Sequence, residues 1–117
     1  MLSAEEAFRR LVIGDKALLA AVAQPDGGST AAPRLDERTE SLIRVAVLVP
    51  LDAPQSSYQP AVESAIRAGA SLDDLLATLV ATAGSVGSPR VVAAALRIAL
   101  AAGYDVDQAL EETRLPG

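Results

Sequence analysis

Few residues in this chain can do chemistry, and most of them fall between Glu40 and Arg90. Gln55-Ser56-Ser57-Tyr58-Gln59 is the most polar stretch outside the linker. Its amides and hydroxyls can bind a small ligand, and the Tyr58 phenol can donate a proton or a hydrogen bond in a dry site. The plainer reading is a helix start with Tyr58 tucked against the core. Glu40–Arg44 and Glu63–Arg67 are acid-to-base pairs at i,i+4, in the first instance exposed helix pairs. Turned toward a subunit interface, Arg44 or Arg67 would instead anchor an anionic ligand. Arg90 follows Ser88-Pro89, where a helix N-terminus favours anions. Asp73-Asp74 and Asp105-Val106-Asp107 look like carboxylate pairs, but both fall in first helical turns, where Asp caps. No Asp-rich loop has calcium-site spacing, so no metal is expected, and no cofactor. Gly84-Ser85-Val86-Gly87 lacks the Gly-Lys-Ser/Thr of a phosphate loop.

What is missing narrows function further. The 117 residues include no cysteine and no histidine, which removes the thiol nucleophile, the commonest metal ligand and the side chain that titrates near neutrality. A serine triad is impossible without histidine, and Lys16 is the only lysine for a Ser–Lys pair. The net charge is −5, and the arginines are scattered apart from Arg9-Arg10. No basic stripe exists to displace counterions from phosphates, so nucleic acid is not an expected partner. Apolar runs are broken by charge well short of the roughly 20 residues that span a bilayer. The acidic start, Ser3-Ala4-Glu5-Glu6, is unlike a secretion signal. A cytoplasmic protein is expected. Half the residues are hydrophobic but only 3% aromatic, so each core side chain buries little area at about 25 cal/mol per Å². Homo-oligomerisation would relieve that shortage.

The elements that position these residues read as helices throughout. Ser3 and Glu6 form a capping-box pattern ahead of Phe8, Leu11 and Val12, with Gly14 as the stop. Asp15 caps a second helix carrying Leu18, Leu19 and Val22. This makes residues 1–23 a helical arm, 24–34 a linker and 35–117 the main domain. Asp36 starts the next helix, with Leu42, Val45, Ala46 and Val49 at helical spacing and Pro50 as its stop. Val45-Ala46-Val47-Leu48-Val49 alone would suit a strand, but its capped lead-in argues for helix. Tyr58, Val62, Ala65 and Ile66 form a stripe ending at Gly69. Ser71 and Asp74 open a helix with Leu72, Leu75, Leu76, Leu79, Val80 and Ala83 on its apolar face, broken at Gly84–Gly87. Ser88 as N-cap and Pro89 at the first helical position start another, with Val91, Val92, Ala95, Leu96, Ala99 and Leu100 inward and Gly103 as the stop. Asp105 caps a last helix to about Arg114. The fold class is all-α, with six or seven helices and an antiparallel helical hairpin core.

Three features in order carry a resemblance. They are the capped helix Leu35-Asp36-Glu37-Arg38-Thr39-Glu40-Ser41-Leu42-Ile43-Arg44-Val45-Ala46-Val47, the joint Ala65 to Leu75 through Gly69 and the Asp73-Asp74 pair, and Gly87-Ser88-Pro89 opening an alanine-rich helix. Together they make Leu35–Gly103 resemble the carboxymuconolactone decarboxylase and AhpD-like family. The resemblance implies an all-helical fold and trimers or hexamers with a central hairpin buried between subunits; a dimer is the alternative. It also implies a Cys-x-x-Cys-x-x-x-His motif with an upstream Glu. Aligned on Gly69, the histidine position falls on Ala61, the second cysteine on Ser57 and the first on Pro54, or on Ala53 with a shifted loop. The upstream acid falls near Ser41, with Glu40 about 100° away around the helix. The thiol pair and imidazole are thus absent, which excludes peroxidase or disulfide reductase chemistry by this chain alone. Ala61 also counts against the decarboxylase branch, which generally keeps a histidine there.

The candidate pocket is therefore Ser41, Gln55, Ser57, Tyr58, Ala61 and Arg90, with Tyr58, Arg44 and Arg67 as candidate catalytic groups. Three functions follow as expectations. The first is a non-catalytic or small-ligand-binding homo-oligomer, the ligand a small anion. The second is a cofactor-free decarboxylase or isomerase of a small carboxylate, using Tyr58 with an arginine. The third is a structural or regulatory partner that docks through residues 1–23.

Overall fold

Capping chemistry sets where the helices begin and end. The computed structural model describes residues 2–24, 32–104 and 111, and the chain divides into two units, residues 1–35 and 36–117. In the first unit, α1 (Ala4–Val12) is capped by Ser3 Oγ accepting from the Glu6 N–H at 3.2 Å. The Glu6 carboxylate bonds Arg9 and Arg10 instead of closing the box on Ser3. α2 (Lys16–Val22) starts on Asp15, whose carboxylate accepts from the Leu18 N–H at 3.0 Å. Ala7 and Leu18 are the buried residues here, whereas the expected stripe residues Phe8 and Val12 are exposed. Most of the predicted linker, residues 25–31, and the predicted last helix at 105–114, apart from Glu111, lie outside the described residues.

In the second unit, α3 (Glu37–Ala46) follows Asp36, whose carboxylate accepts from the Thr39 N–H at 2.8 Å. The helix stops at Ala46, short of the expected Val49. Pro50 has no N–H to offer the Ala46 carbonyl and disfavours helical backbone at Val49. The Val49 N–H takes that carbonyl in a tighter turn at 3.2 Å. The connection closes with Asp52 in the left-handed region at φ +49 and the Ala53 N–H bonded to the Leu48 carbonyl, a conformation Asp tolerates better than most residues. α4 (Gln55–Arg67) begins after Pro54 and ends at Gly69 (φ +98), where the Ala70 N–H reaches back to the Ala65 carbonyl at 2.9 Å. That six-residue closure needs a left-handed residue, which glycine supplies.

α5 (Leu72–Val86) has the full capping box: Ser71 Oγ accepts from the Asp74 N–H, and Asp74 accepts from the Ser71 N–H. Gly84 does not break it. The helix runs on to Val86 and is ended by Gly87 at φ +84. α6 (Ser88–Ala101) starts directly from Gly87, so Ser88 is its first residue and not its cap, and Pro89 is its second. One residue serves both ends, which leaves no extended position for a Ser88 side-chain cap. Gly103 ends α6 as expected, with Tyr104 N–H on the Ala99 carbonyl. Among the described residues all regular elements are helical.

Within this unit α3 packs on α4 and α5, and α6 packs on α4 and α5. This is a four-helix arrangement around Val45, Val49, Tyr58, Val62, Ala65, Leu75, Leu79, Ala94, Ile98 and Ala101. The expected stripe on α6 is rotated: Ala94, Ile98 and Ala101 are buried, while Val92, Leu96 and Leu100 face outward. On α5 only Leu75 and Leu79 are buried, and Leu72, Leu76 and Val80 are exposed; Ile66 of α4 is exposed too.

Candidate functional site

Tyr58 sits one turn into α4, in the face that also buries Val62 and Ala65. It has 0% exposure, and its hydroxyl is buried with no hydrogen-bond partner among the described residues. Enclosure in aliphatic surroundings pushes the phenol above its ordinary value of 10.0; the Arg97 cation opposes this and the Asp52 carboxylate adds to it. A phenolate in that position would lose its hydration without gaining a donor.

Asp52 and Arg97 form a salt bridge at 2.9 Å from the α3–α4 connection to α6. Gln55 Nε2 donates to the Arg97 backbone carbonyl at 2.9 Å, fastening the start of α4 to α6. Neither Asp52 nor Arg97 is evident as a site residue from sequence. They lie 45 positions apart, and only the left-handed turn before Pro54 brings them together. A lone Asp between two prolines is the single local hint.

The other candidates are dispersed. Ser41 is buried on α3, while Ser57 and Ala61 are half-buried on α4. Arg44 is exposed and pairs with Glu40 at 3.8 Å. The Glu63–Arg67 pair is replaced by two other contacts: Arg67 donates to Ser64 Oγ at 3.1 Å, and Glu63 accepts from Gln59 at 2.8 Å. Arg90 is exposed in the first turn of α6. Asp74 acts as a cap, its carboxyl held below the usual range by the Ser71 N–H and then by Arg38 at 2.9 Å. No group of three or more potential metal ligands occurs among the described residues. None of their helices is long and apolar enough to cross a membrane.

Open space lies elsewhere. A cleft of about 260 Å³ between α5 and α6 is lined by Leu72, Leu76, Leu79, Ala95, Ile98 and Ala99. A second, of about 330 Å³, is lined by Ile66, Ala70 and Leu72 with Ala102–Tyr104. Leucine, isoleucine and alanine dominate both linings, with Tyr104 contributing a hydroxyl-bearing side chain to each.

The model of the carboxymuconolactone decarboxylase family matches residues 16–101. The chain belongs to that family. The matched segment begins at Lys16, so α2 is part of it; the match reaches further toward the N-terminus than Leu35 and ends at Ala101, two residues short of Gly103. No curated protein and no solved structure matched the chain in the other two comparisons. For a carboxymuconolactone decarboxylase family member, this chain has Ser57 and Ala61 at the positions where the resemblance implies thiol and imidazole.

Proposed function

We propose that this protein is a non-catalytic, homo-oligomeric member of the carboxymuconolactone decarboxylase family whose former reaction site has closed around Tyr58. The observation that carries the reading is the enclosure of Tyr58. It is the one candidate acid next to the Ser57 and Ala61 positions, and its phenol is both inaccessible and held protonated by burial. General acid–base catalysis needs a group within hydrogen-bond reach of substrate and a pKa near the working pH. Tyr58 meets neither condition. The arginines offered as carboxylate anchors add nothing to it, since Arg44 and Arg67 are exposed side chains satisfied by neighbours on their own helices. Assembly is supported by the row of large apolar side chains that α5 and α6 turn outward.

The test is turnover. Purified protein should convert neither carboxymuconolactone nor peroxide with a dithiol donor above the level of a Tyr58→Phe variant. Wild-type turnover that the variant loses would overturn the reading.

One observation favours small-ligand binding as a second reading. The Tyr58 hydroxyl lacks a partner, and the surface ion pair Asp52–Arg97 exerts its field on it. Exposed pairs of this kind are weak, up to about 1 kcal/mol, so a small carboxylate could displace Asp52 from Arg97. A screen of small carboxylates should then raise the melting temperature with the logarithm of ligand concentration above its dissociation constant, and Arg97→Ala should abolish the rise.

A further inference from the structure

The second cleft, of about 330 Å³, lies where α4 stops, α5 starts and α6 stops. Ile66 of α4, Leu72 at the start of α5 and Tyr104 past α6 line it, and all three are exposed. Gly103 at φ +81 turns the chain out of α6, and the Tyr104 N–H bonds the Ala99 carbonyl. The backbone is thereby delivered to the rim of the cleft. Val106 is two residues further on, within ~7 Å of extended chain.

The sequence after Tyr104 has the pattern of an occupant. Residues 105–117 lie outside the described residues apart from Glu111. By type Asp105 is a helix cap, and Val106, Ala109, Leu110 and Thr113 share one face at helical spacing. Glu111 is helical and exposed, and the same spacing sets it about 140° round from Val106, away from that face. Isolated helices shorter than ~12–15 residues are marginal in water, so one ending near Arg114 needs an apolar surface to lean on. The charges agree as well. The segment carries Asp105, Asp107, Glu111 and Glu112 against Arg114, while Arg67, next to Ile66, bonds Ser64 and no carboxylate among the described residues.

We propose that residues 105–114 fold back as a helix across this end of the four-helix unit, with Val106 and Leu110 seated in the cleft between Ile66 and Leu72. The tether selects this occupant over a second copy or a foreign chain. A segment attached at the rim is present at an effective concentration of about a millimolar, above that of any partner in dilute protein. Leu76, Val80 and Leu96 stay outward, so this contact is separate from the assembly proposed above.

Disulfide trapping in the full chain tests the contact, since the chain has no cysteine of its own. With oxidised glutathione, an Ile66→Cys/Leu110→Cys chain should close an intramolecular disulfide at least tenfold faster than an Arg90→Cys/Leu110→Cys chain, altered at the far end of α6. A second pair of variants keeps the test open should Ile66→Cys disturb the fold. Leu110→Asp should lower the urea midpoint, and Gln108→Asp, on the opposite side of the expected helix, should leave it in place. Equal oxidation rates for the two double variants, or disulfides formed only between chains, would overturn the proposal. So would a midpoint that Leu110→Asp leaves unmoved, or one that both Asp variants lower equally.

Discussion

The two halves of the four-helix unit treat solvent differently. On α3 and α4 the outward positions are mostly polar: Glu37, Arg38, Arg44, Gln59, Glu63 and Arg67 are exposed, and several are tied into pairs along their own helix. On α5 and α6 the outward positions include Leu72, Leu76, Val80, Val92, Leu96 and Leu100, beside Asp73 and Arg90. Yet both halves contribute to one core cluster, with Tyr58 and Val62 from one side and Leu75 and Ile98 from the other. The positions where the resemblance implies thiol and imidazole, Ser57 and Ala61, lie on α4 in the first half, half-buried beside the enclosed Tyr58.

Neighbouring leucines give the sharpest contrast. Leu75 is 1% exposed and Leu76 is 59% exposed. Leu75→Ala should cost about 3 kcal/mol in urea unfolding, because a buried leucine leaves a cavity. Leu76→Ala should cost less than about 0.5 kcal/mol in dilute solution and lower the melting temperature only where the protein associates. Equal losses in dilute protein would erase the distinction between core and outer face.

Tyr58→Phe should act in the opposite direction. Removing a buried hydroxyl with no partner should stabilise the fold by about 1 kcal/mol, seen as a higher urea midpoint. A loss of stability would mean the hydroxyl is satisfied, and the closed-site picture would need revision.

Acid should loosen the helix starts. The Asp36 carboxyl is held below its ordinary 3.8 by the Thr39 N–H, and the Asp74 carboxyl by the Ser71 N–H. Groups depressed in the folded state stabilise it above their unfolded pKa and lose that effect as pH falls through the folded value. Helicity followed by circular dichroism should therefore become less heat-resistant below pH 3.8, and Asp74→Asn should flatten that dependence. The smallest effect belongs to the α3–α4 half: Arg44→Ala should change stability by only a few tenths of a kcal/mol, within reach of careful chemical denaturation.

Much of this fold is legible in the chain because caps are local. Ser71 with Asp74, Asp36, Asp15, Gly69 and Gly103 each act where their chemistry places them. The α6 face was not legible, for a physical reason. Two stripes at helical spacing compete there, and the bulkier one, Val92, Leu96 and Leu100, is the natural choice for a buried face. Packing of α6 on α4 and α5 takes Ala94, Ile98 and Ala101 instead, a face with two alanines. Periodicity locates an apolar face without saying whether the core or another molecule covers it. The candidate site was half legible. Tyr58 stood out by type, whereas the Asp52–Arg97 bridge depends on a left-handed turn and a helix 45 positions away.

In the proposed reading, the family's reaction position has closed around a protonated phenol. Alkaline absorbance titration of a Tyr104→Phe chain, in which Tyr58 is the sole tyrosine, tests it directly. Phenolate should appear only above pH 10 and together with the loss of helical circular dichroism. Ionisation at or below pH 10 with the helices intact would show an accessible Tyr58 and contradict the account.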